Sequence, residues 1–469
     1  MPTSVIWCVI VLSIVGVMTR PLRLPEAVFA LGGAAVLCLG GALSWPMAGQ
    51  AVLKGMDVYL FLTGMMLVSE IARQTGVFDF VAEHAARRAR GSAYRLLWLV
   101  YAVGVVVTAL MSNDATAVVL TPAVLAATRA SKVREPLPYL YACAFVANAA
   151  SFVLPIANPA NLVVFQNHMP PLGAWLVRFA LPSLLSIGLT YGALRFTQRV
   201  ALRNAFSDNA ERPGRDSKRN RSQGVMAGND ASKPDTGARD APGQTLSVTG
   251  RWAVAGIAAL VVVMLTASAC DVELGAPTAA CGCLVLAIVT LAARKRRPGG
   301  DADPFRVTDV LRGVSWGVLP LVAGLFVLVE ALAQTGVLHV AGTWLKQRVQ
   351  DGSLSNQAVV AAGAGIVTAL LGNVVNNLPA GLVAGTVLGQ AHAPTLIASA
   401  VAIGIDLGPN LSVTGSLATL LWLTALRREG LHVSAWSFLR VGAVVMIPAL
   451  LAALAGLVLQ DILVSVLTA

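Results

Sequence analysis

Long apolar stretches separated by short polar segments dominate the pattern of this chain. A membrane-spanning helix needs about 20 mostly apolar residues to cross a hydrocarbon layer ~30 Å thick. Several segments reach or approach that length, namely 25–43, 58–72, 96–111, 173–194, 252–268 and 276–293. The pattern therefore predicts an all-α polytopic membrane protein.

One polar segment interrupts this pattern near the middle of the chain. From Ser207 to Thr245 there is no aromatic residue, leucine or isoleucine, and Pro, Gly, Ser and mixed charges dominate. A segment of that composition has too little apolar surface to form a packed core. We predict a first membrane repeat over residues 1–202, a disordered cytoplasmic linker over 203–249 and a second membrane repeat over 250–469.

The two halves share short motifs at a constant separation. Glu70-Ile-Ala-Arg-Gln-Thr-Gly-Val recurs as Glu330-Ala-Leu-Ala-Gln-Thr-Gly-Val, and Thr108-Ala-Leu-Met-Ser-Asn recurs as Thr368-Ala-Leu-Leu-Gly-Asn. Both matches are 260 residues apart. Two matches in one register indicate a duplicated fold, and internal duplication is typical of secondary transporters.

Each half shows the same order of segments. Two plain spans are followed by a third span, a short amphipathic piece, a hairpin, a broken span and a closing span. The segments 96–128 and 356–391 are interrupted by polar tips, so we interpret them as re-entrant hairpins. The broken spans cover 137–167 and 394–424. This predicts about ten crossings and two hairpins, with five crossings per half, so the second repeat is inverted relative to the first.

The distribution of basic residues agrees with that topology. With the linker in the cytoplasm, seventeen of the Lys and Arg residues outside the linker are assigned to the cytoplasmic side, against four assigned to the outside, Lys54, Arg178, Lys346 and Arg348. Cytoplasmic loops are generally enriched in Lys and Arg. We predict a multi-pass protein of the inner (plasma) membrane with both chain ends external.

Composition excludes several function classes. The chain is 56% hydrophobic and only 12% charged, which rules out an ordinary soluble protein. Its net charge of +11 comes from basic residues scattered between apolar segments, so topology explains the charge better than a nucleic-acid partner. No P-loop pattern occurs, so the chain itself is not expected to hydrolyse ATP. The six cysteines show no C-x-x-C pair, and we expect neither a metal nor a cofactor.

Four polar breaks occupy related places in the two halves. Broken backbone at membrane depth is tolerated only inside protein or beside a water-filled cavity. Asparagines that cap half-helices would be the simpler explanation, but the pairing of the breaks favours a binding site near the bilayer midplane. The breaks are Asn113-Asp114, Asn158-Pro-Ala-Asn161, Asn376-Asn377 and Asp406-Leu-Gly-Pro-Asn410.

Four carboxyl groups lie in or beside apolar segments. Burying an unpaired carboxylate costs at least ~2.5 kcal/mol on insertion scales, so each should be protonated, paired or hydrated. Glu70 and Glu330 are equivalent in the repeat, which favours a shared packing role. Asp114 lies at a hairpin tip whose counterpart carries an amide, and this asymmetry favours proton coupling. Asp406 lies in a polar break. The breaks contain no Arg, Lys or His, so a neutral polyol-like solute or a cation is easier to hold there than an anion.

The motifs at these breaks resemble a known family, the arsenite-efflux permeases of the ArsB type in the ion-transporter superfamily. The most specific segment is Asp406-Leu-Gly-Pro-Asn-Leu-Ser-Val-Thr-Gly-Ser-Leu-Ala-Thr-Leu-Leu-Trp, supported by Ser112-Asn-Asp-Ala-Thr-Ala-Val-Val-Leu-Thr-Pro and Asn376-Asn-Leu-Pro. The resemblance covers nearly the whole chain except the linker. It implies export of arsenite or antimonite from the cytoplasm by proton antiport, and in some relatives a cytosolic arsenical-pump ATPase as partner.

The resemblance also implies roles for individual residues. Coupling to protons is expected of Asp114, with Asp406 as a second candidate. Three alternatives stay open: a sodium/proton antiporter or another carrier of the superfamily, a passive channel, and a membrane-embedded enzyme, for which no credible catalytic set is present. The expected substrate-binding residues are Ser112, Asn113, Asn158, Asn161, Asn376, Asn377, Asn410 and Thr414.

Overall fold

The structure is a computed structural model that describes residues 1–21, 24–166, 169–205, 246–294, 305–350 and 353–468. Across these ranges the regular structure is helical throughout and contains no strand, which confirms the predicted all-α fold. Most of the predicted linker, residues 206–245, lies outside the described ranges.

The helices begin and end close to the predicted segments. In the first half they are α1 (Thr3–Thr19), α2 (Glu26–Leu39), α3 (Trp45–Lys54), α4 (Met56–Gln74), α5 (Val77–Arg88), α6 (Ala93–Leu110), α7 (Asn113–Ala115), α8 (Thr121–Ala130), α9 (Leu137–Ala149), α10 (Pro159–Val164), α11 (Leu172–Thr197) and α12 (Arg199–Asn204). In the second half they are α13 (Val248–Ala269), α14 (Gly275–Arg294), α15 (Val307–Gly313), α16 (Val318–Gln334), α17 (Val337–Val349), α18 (Leu354–Val375), α19 (Asn377–Ala391), α20 (Thr395–Leu407), α21 (Leu417–Arg428) and α22 (Ala435–Thr468).

Several of these helices have the dimensions of membrane spans. Seven described helices are long and apolar enough to cross a bilayer, or eight if the bent pair α3–α4 forms one span. The seven include α6 and α18, which the sequence predicts to be arms of hairpins, whereas α1, α2 and α9 are apolar but shorter. The protein is therefore polytopic, while the count of ten crossings stays a prediction.

A glycine joins the third span to the amphipathic helix in each half. Gly76 lies between α4 and α5 with φ 72°, and Gly336 lies between α16 and α17 with φ 80°. This left-handed backbone strains residues that carry a Cβ atom. The geometry accounts for the recurrence of the glycine in the Gln-Thr-Gly-Val motif of the two halves. In α5 the apolar face made by Val77, Phe78 and Ala82 is buried, as its amphipathic pattern predicts.

The two halves pack against each other through exchanged helices. Helix α2 packs on α16, and α14 packs on α4, so the second span of each half contacts the third span of the other. Small residues allow close approach: a methyl group at Gly64 of α4 would collide with the backbone carbonyl of Thr278 in α14. Without a hydrophobic drive in lipid, such close packing is a main source of helix association.

The broken helices occupy the centre of the molecule. All residues of α9 from Pro138 to Ala149 are buried, and so are Ser399 to Leu407 of α20. Each helix ends in an irregular segment before a second helix starts, α10 after α9 and α21 after α20. Polar groups at these breaks are thus placed deep in the protein rather than against lipid.

Candidate substrate site

The tip of the first predicted hairpin is built by side chains that replace backbone hydrogen bonds. After α6 ends, the Ser112 hydroxyl accepts from the Ala115 N–H at 3.1 Å, and Asn113 Oδ1 accepts from the Asp114 N–H at 2.9 Å. A π-helical turn, Thr116–Leu120, follows and leads into α8. Thr108 and Thr116 share a hydroxyl hydrogen bond of 2.8 Å that ties the turn to α6. Such π-turns are frequent at functional sites.

The tip of the second predicted hairpin has a strained residue at the equivalent place. Asn376 caps α19 with φ 76° and ψ 154°, a region that residues other than glycine rarely adopt. Its amide nitrogen donates to the Thr414 carbonyl at 3.4 Å, and the Asn377 N–H donates to the Gly415 carbonyl at 3.0 Å. These contacts hold the tip against the break of the α20–α21 pair.

The residue separation that aligns the two tips in the structure differs from the separation between the repeated sequence motifs. Helix caps align Ser112 with Asn376, a separation of 264 residues, whereas the sequence motif pairs the two halves at 260. Helix α18 is therefore about one turn longer than α6. When the two tips are aligned by their helix caps, the counterpart of Asp114 is Leu378 rather than the amide that the sequence predicts. The second half therefore has no polar side chain at the position of Asp114.

Five of the predicted site residues line one small cavity. The two tips meet there with the break between α9 and α10. Leu62, Val318 and Leu325 form the apolar walls of the cavity. Its volume of about 50 Å³ has room for roughly three or four water-sized groups. No Arg, Lys or His belongs to its lining. The five residues are Asn113, Asp114, Asn158, Asn376 and Asn377.

Asp114 also faces a second cavity, of about 80 Å³. This cavity extends from Ser112 and Asp114 along α4 to Ser69 and Glu70. The Glu70 carboxylate accepts from Arg73 Nε and from the Gln74 side-chain amide, each at 2.8 Å. Asp114 is therefore the carboxyl group shared by the amide-lined cavity and the second cavity, which reaches Glu70.

Asp406 lies next to the cavity but is sealed from solvent. Asn158 Nδ2 donates to Asp406 Oδ1 at 2.6 Å, while the Asn158 Oδ1 accepts from the Ala160 N–H at 3.0 Å. The side chains of Ser151 and Asn161 also face this carboxyl group. Its second oxygen, Oδ2, has no hydrogen-bond partner in the described structure. A buried, unpaired carboxylate oxygen is costly, so this atom calls for a proton or a cation.

The remaining predicted residues support the site without lining the amide-lined cavity. Asn161 Nδ2 donates to the Ser151 carbonyl at 3.0 Å, and Asn410 Nδ2 donates to the Phe145 carbonyl at 3.1 Å. Ser112 caps the first tip and faces the second cavity. Thr414 shares a hydroxyl hydrogen bond of 3.3 Å with Ser412.

Two amides that sequence reasoning did not assign to the site also hold it together. Asn148 Nδ2 donates to Asn410 Oδ1 at 2.9 Å, which links the two broken helices. Asn373 donates to the Gly408 carbonyl at 2.8 Å and accepts from the Ser412 hydroxyl at 2.7 Å. Asn148 could have been found from the repeat, because α9 and α20 begin and end 258 residues apart and this separation pairs Asn148 with Asp406.

A metal centre is not apparent in the described ranges. There no three His, Cys, Asp or Glu side chains converge as ligands, and the six cysteines are free thiols. The site is thus built from amides, hydroxyls and carboxyl groups.

Comparison with known proteins agrees with a membrane transporter. The profile of the CitMHS family, described as a citrate transporter, matches residues 10–404. The arsenical pump membrane protein of Yersinia enterocolitica is 26% identical over 407 residues, covering 84% of each chain. That of Escherichia coli is 23% identical over 461 residues, covering 96% of this chain and 97% of the relative.

A solved structure shows a similar fold. The YdaH transporter of Alcanivorax borkumensis aligns with a TM-score of 0.50 at 14% identity, over 89% of this chain and 87% of that one. Together with the apolar helices, these matches identify a multi-pass inner-membrane transporter rather than an enzyme. The chain belongs to the CitMHS family of transporters and resembles arsenical pump membrane proteins, the ArsB-type permeases.

Proposed function

We propose that this transporter exports arsenite or antimonite from the cytoplasm in exchange for protons. The observation that carries the proposal is the meeting of both hairpin tips with Asn158 in a single cavity that Asp114 shares. Two relatives that match most of the chain are named arsenical pump membrane proteins.

The chemistry of the cavity suits a small neutral triol. Arsenite is an uncharged trihydroxide near neutral pH, with four non-hydrogen atoms, and amides supply both donors and acceptors to hydroxyl groups. A cavity that holds roughly three or four water-sized groups is of matching size. Its lining contains no cysteine, so oxygen and nitrogen contacts rather than thiolate bonds hold the substrate.

The same lining argues against citrate as the substrate. A tricarboxylate is best recognised by forked arginine contacts or other cationic groups. The amide-lined cavity instead contains the Asp114 carboxyl group and no Arg, Lys or His. The family description therefore does not transfer its substrate to this chain.

Two carboxyl groups provide for proton coupling. Asp114 lines both the amide-lined cavity and the second cavity, so its proton affinity depends on which cavity is hydrated. Asp406 has a buried oxygen without a partner, which a proton would satisfy. One inward proton supplies ~2.3 kcal/mol per 100 mV, and a tenfold gradient of a neutral solute costs only ~1.4 kcal/mol. A docked cytosolic ATPase, which the resemblance implies for some relatives, is therefore not required.

Alternating access follows from the inverted-repeat topology that the sequence predicts. Hairpins that enter from opposite sides would bring their tips together near the midplane, and tips that meet in one cavity support that arrangement. Opening toward one side would then hydrate Asp114 while the other tip keeps the cavity closed.

Transport into everted vesicles tests this function. With an imposed pH gradient and no ATP, vesicles containing the protein should accumulate arsenite, and an uncoupler should abolish the accumulation. If arsenite only equilibrated across the membrane, and the uncoupler did not change this, the protein would be a passive channel. An absence of arsenite uptake in protein that is correctly inserted would refute the proposal.

A sodium/proton antiporter is the second candidate. The Oδ1 atoms of Asn148 and Asn161, like Oδ2 of Asp406, are buried oxygens without partners. Carboxylate and amide oxygens are ligands for hard cations such as Na⁺. Sodium-dependent proton movement in the same vesicles, without arsenite uptake, would select this candidate.

A further inference from the structure

A wide basic groove lies away from the substrate site, where α5, α6 and the start of α13 meet. We call it the arginine groove and define it by Arg87, Arg88, Arg90, Arg95, Arg251 and Trp98. Its volume is about 1170 Å³, far larger than either cavity at the substrate site. All six side chains are exposed. The substrate site makes no use of any of them.

Within the part of the chain that the structure describes, the positive charge of this groove is largely uncompensated. Among the described residues only Glu83 forms an ion pair in it, at 3.4 Å from Arg87. No described carboxylate lies within ion-pair distance of Arg88, Arg90, Arg95 or Arg251. By contrast, Arg129 and Arg178 lie 2.6 and 2.8 Å from carboxylate partners. Mutually repelling cations that converge on one groove indicate that an anion completes it.

The placement of two arginines strengthens this argument. Arg95 lies in the first turn of α6, and Arg251 in the first turn of α13, and neither turn contains an acidic residue. The start of a helix is the positive end of its dipole, so a cation there is disfavoured by a few tenths of a kcal/mol. An anion bound between the two helix starts would offset both unfavourable placements.

The aromatic and apolar part of the groove distinguishes a lipid from a soluble anion. Trp98 lies one turn further along α6 than Arg95, is 52% exposed and packs edge-on against Tyr191 with ring centroids 5.5 Å apart. Leu99 continues this apolar wall. Helix α6 is one of the apolar spans, and interfacial tryptophans typically lie at the headgroup level. Inorganic phosphate would have no contact to make with this wall.

We propose that the arginine groove binds the phosphodiester headgroup of an anionic phospholipid, with an acyl chain lying along Trp98. Guanidinium groups form forked hydrogen bonds to phosphate oxygens, and several of them can surround one headgroup. The sequence-predicted topology places the groove on the cytoplasmic side, where the leaflet is anionic and juxtamembrane Lys and Arg are attracted to it. The bound lipid holds α5, α6 and α13 together at the membrane surface.

Thermal unfolding of the full chain in mixed micelles tests this proposal. We expect phosphatidylglycerol to raise the Tm relative to phosphatidylcholine, by roughly 3 °C or more at saturation. Inorganic phosphate at the same concentration should give no comparable rise. An equal rise with inorganic phosphate would show an anion site that does not recognise lipid, and no rise with phosphatidylglycerol would show that the groove holds no such lipid. Either result overturns the proposal.

Matched double variants locate the effect. Arg90→Gln with Arg95→Gln should lose most of the phosphatidylglycerol-dependent rise while its Tm in phosphatidylcholine stays near that of the wild type. Arg427→Gln with Arg428→Gln removes the same charge from the exposed end of α21 and should keep the full rise. Equal losses in the two double variants would show unspecific charge attraction and contradict a built site.

A second measurement uses only the wild-type protein, so it does not depend on whether the variants fold. Native mass spectrometry of the wild-type protein, purified in the presence of both lipids, should retain phosphatidylglycerol in preference to phosphatidylcholine. Retention without preference would contradict the proposal.

Discussion

Asn158 Nδ2 donates to Asp406 Oδ1 at 2.6 Å, a contact between residues 248 positions apart. It connects the cap of α10 in the first half to the end of α20 in the second. Asn158 also lines the cavity that contains Asp114. One amide therefore lies between the two carboxyl groups to which we assign coupling, so a movement of α10 alters the surroundings of both.

Replacement of Asp114 by asparagine should abolish uphill export. The Asp114→Asn side chain keeps its volume but can no longer exchange a proton, so arsenite uptake driven by a pH gradient in everted vesicles is expected to fall to the level of empty vesicles. Asp309→Asn removes a carboxyl group from the exposed surface of α15 and should leave uptake unchanged. Normal uptake by the Asp114 variant, with normal membrane insertion, would remove this residue from coupling.

At Asp406 two substitutions separate charge from packing. Asp406→Asn can still accept from Asn158, so we expect a Tm near that of the wild type together with a loss of proton-driven uptake. Asp406→Ala leaves the Asn158 amide unpaired in a buried site, at a cost of about 1–3 kcal/mol. Thermal unfolding in detergent measures the stability of both variants, and vesicle uptake measures their proton-driven export. Intact proton-driven uptake by Asp406→Asn would assign the residue to structure alone.

Glu70 and Glu330 occupy equivalent positions in the sequence repeat, but only Glu70 lines the second cavity. We therefore expect their substitutions to differ in their effect on proton-driven uptake. Glu70→Gln removes the carboxylate that lines the second cavity together with Asp114 and should slow proton-driven uptake. Glu330→Gln removes only the partner of Lys54, an exposed ion pair of 2.8 Å worth about 0–1 kcal/mol. Initial uptake rates at several pH gradients compare the two variants. Equal rates would show that Glu70 has no part in proton movement.

Helices α4 and α14 pack so closely that position 64 should tolerate only glycine. A Gly64→Ala methyl group meets the Thr278 backbone of α14, which cannot move aside as a flexible side chain could. We expect a loss of about 1–3 kcal/mol in stability, as for other overpacked sites. Gly32→Ala is the control, because a methyl group there meets no atom within 4 Å. Thermal unfolding of both variants in detergent measures the difference, and equal values would contradict this packing.

The sequence identified only some of the residues that line the site. Asn113, Asp114, Asn376 and Asn377 could be identified because a polar pair inside a long apolar segment is costly unless it lines a cavity. Asn148 and Asn161 have the same chemistry, but the sequence does not tell which amides face a cavity and which bond to backbone. That distinction depends on how α9, α10 and α20 pack.

The sequence by itself determined that the chain is a helical membrane protein, that its halves share two motifs in one register and where its helices break. Apolar length, repeated motifs and helix-breaking residues are local properties, and they act over a few turns of chain. Only the tertiary structure decided that Asp114 faces two cavities and that Asp406 bonds to Asn158. These relationships join residues more than 200 positions apart, and side-chain packing rather than local preference sets them.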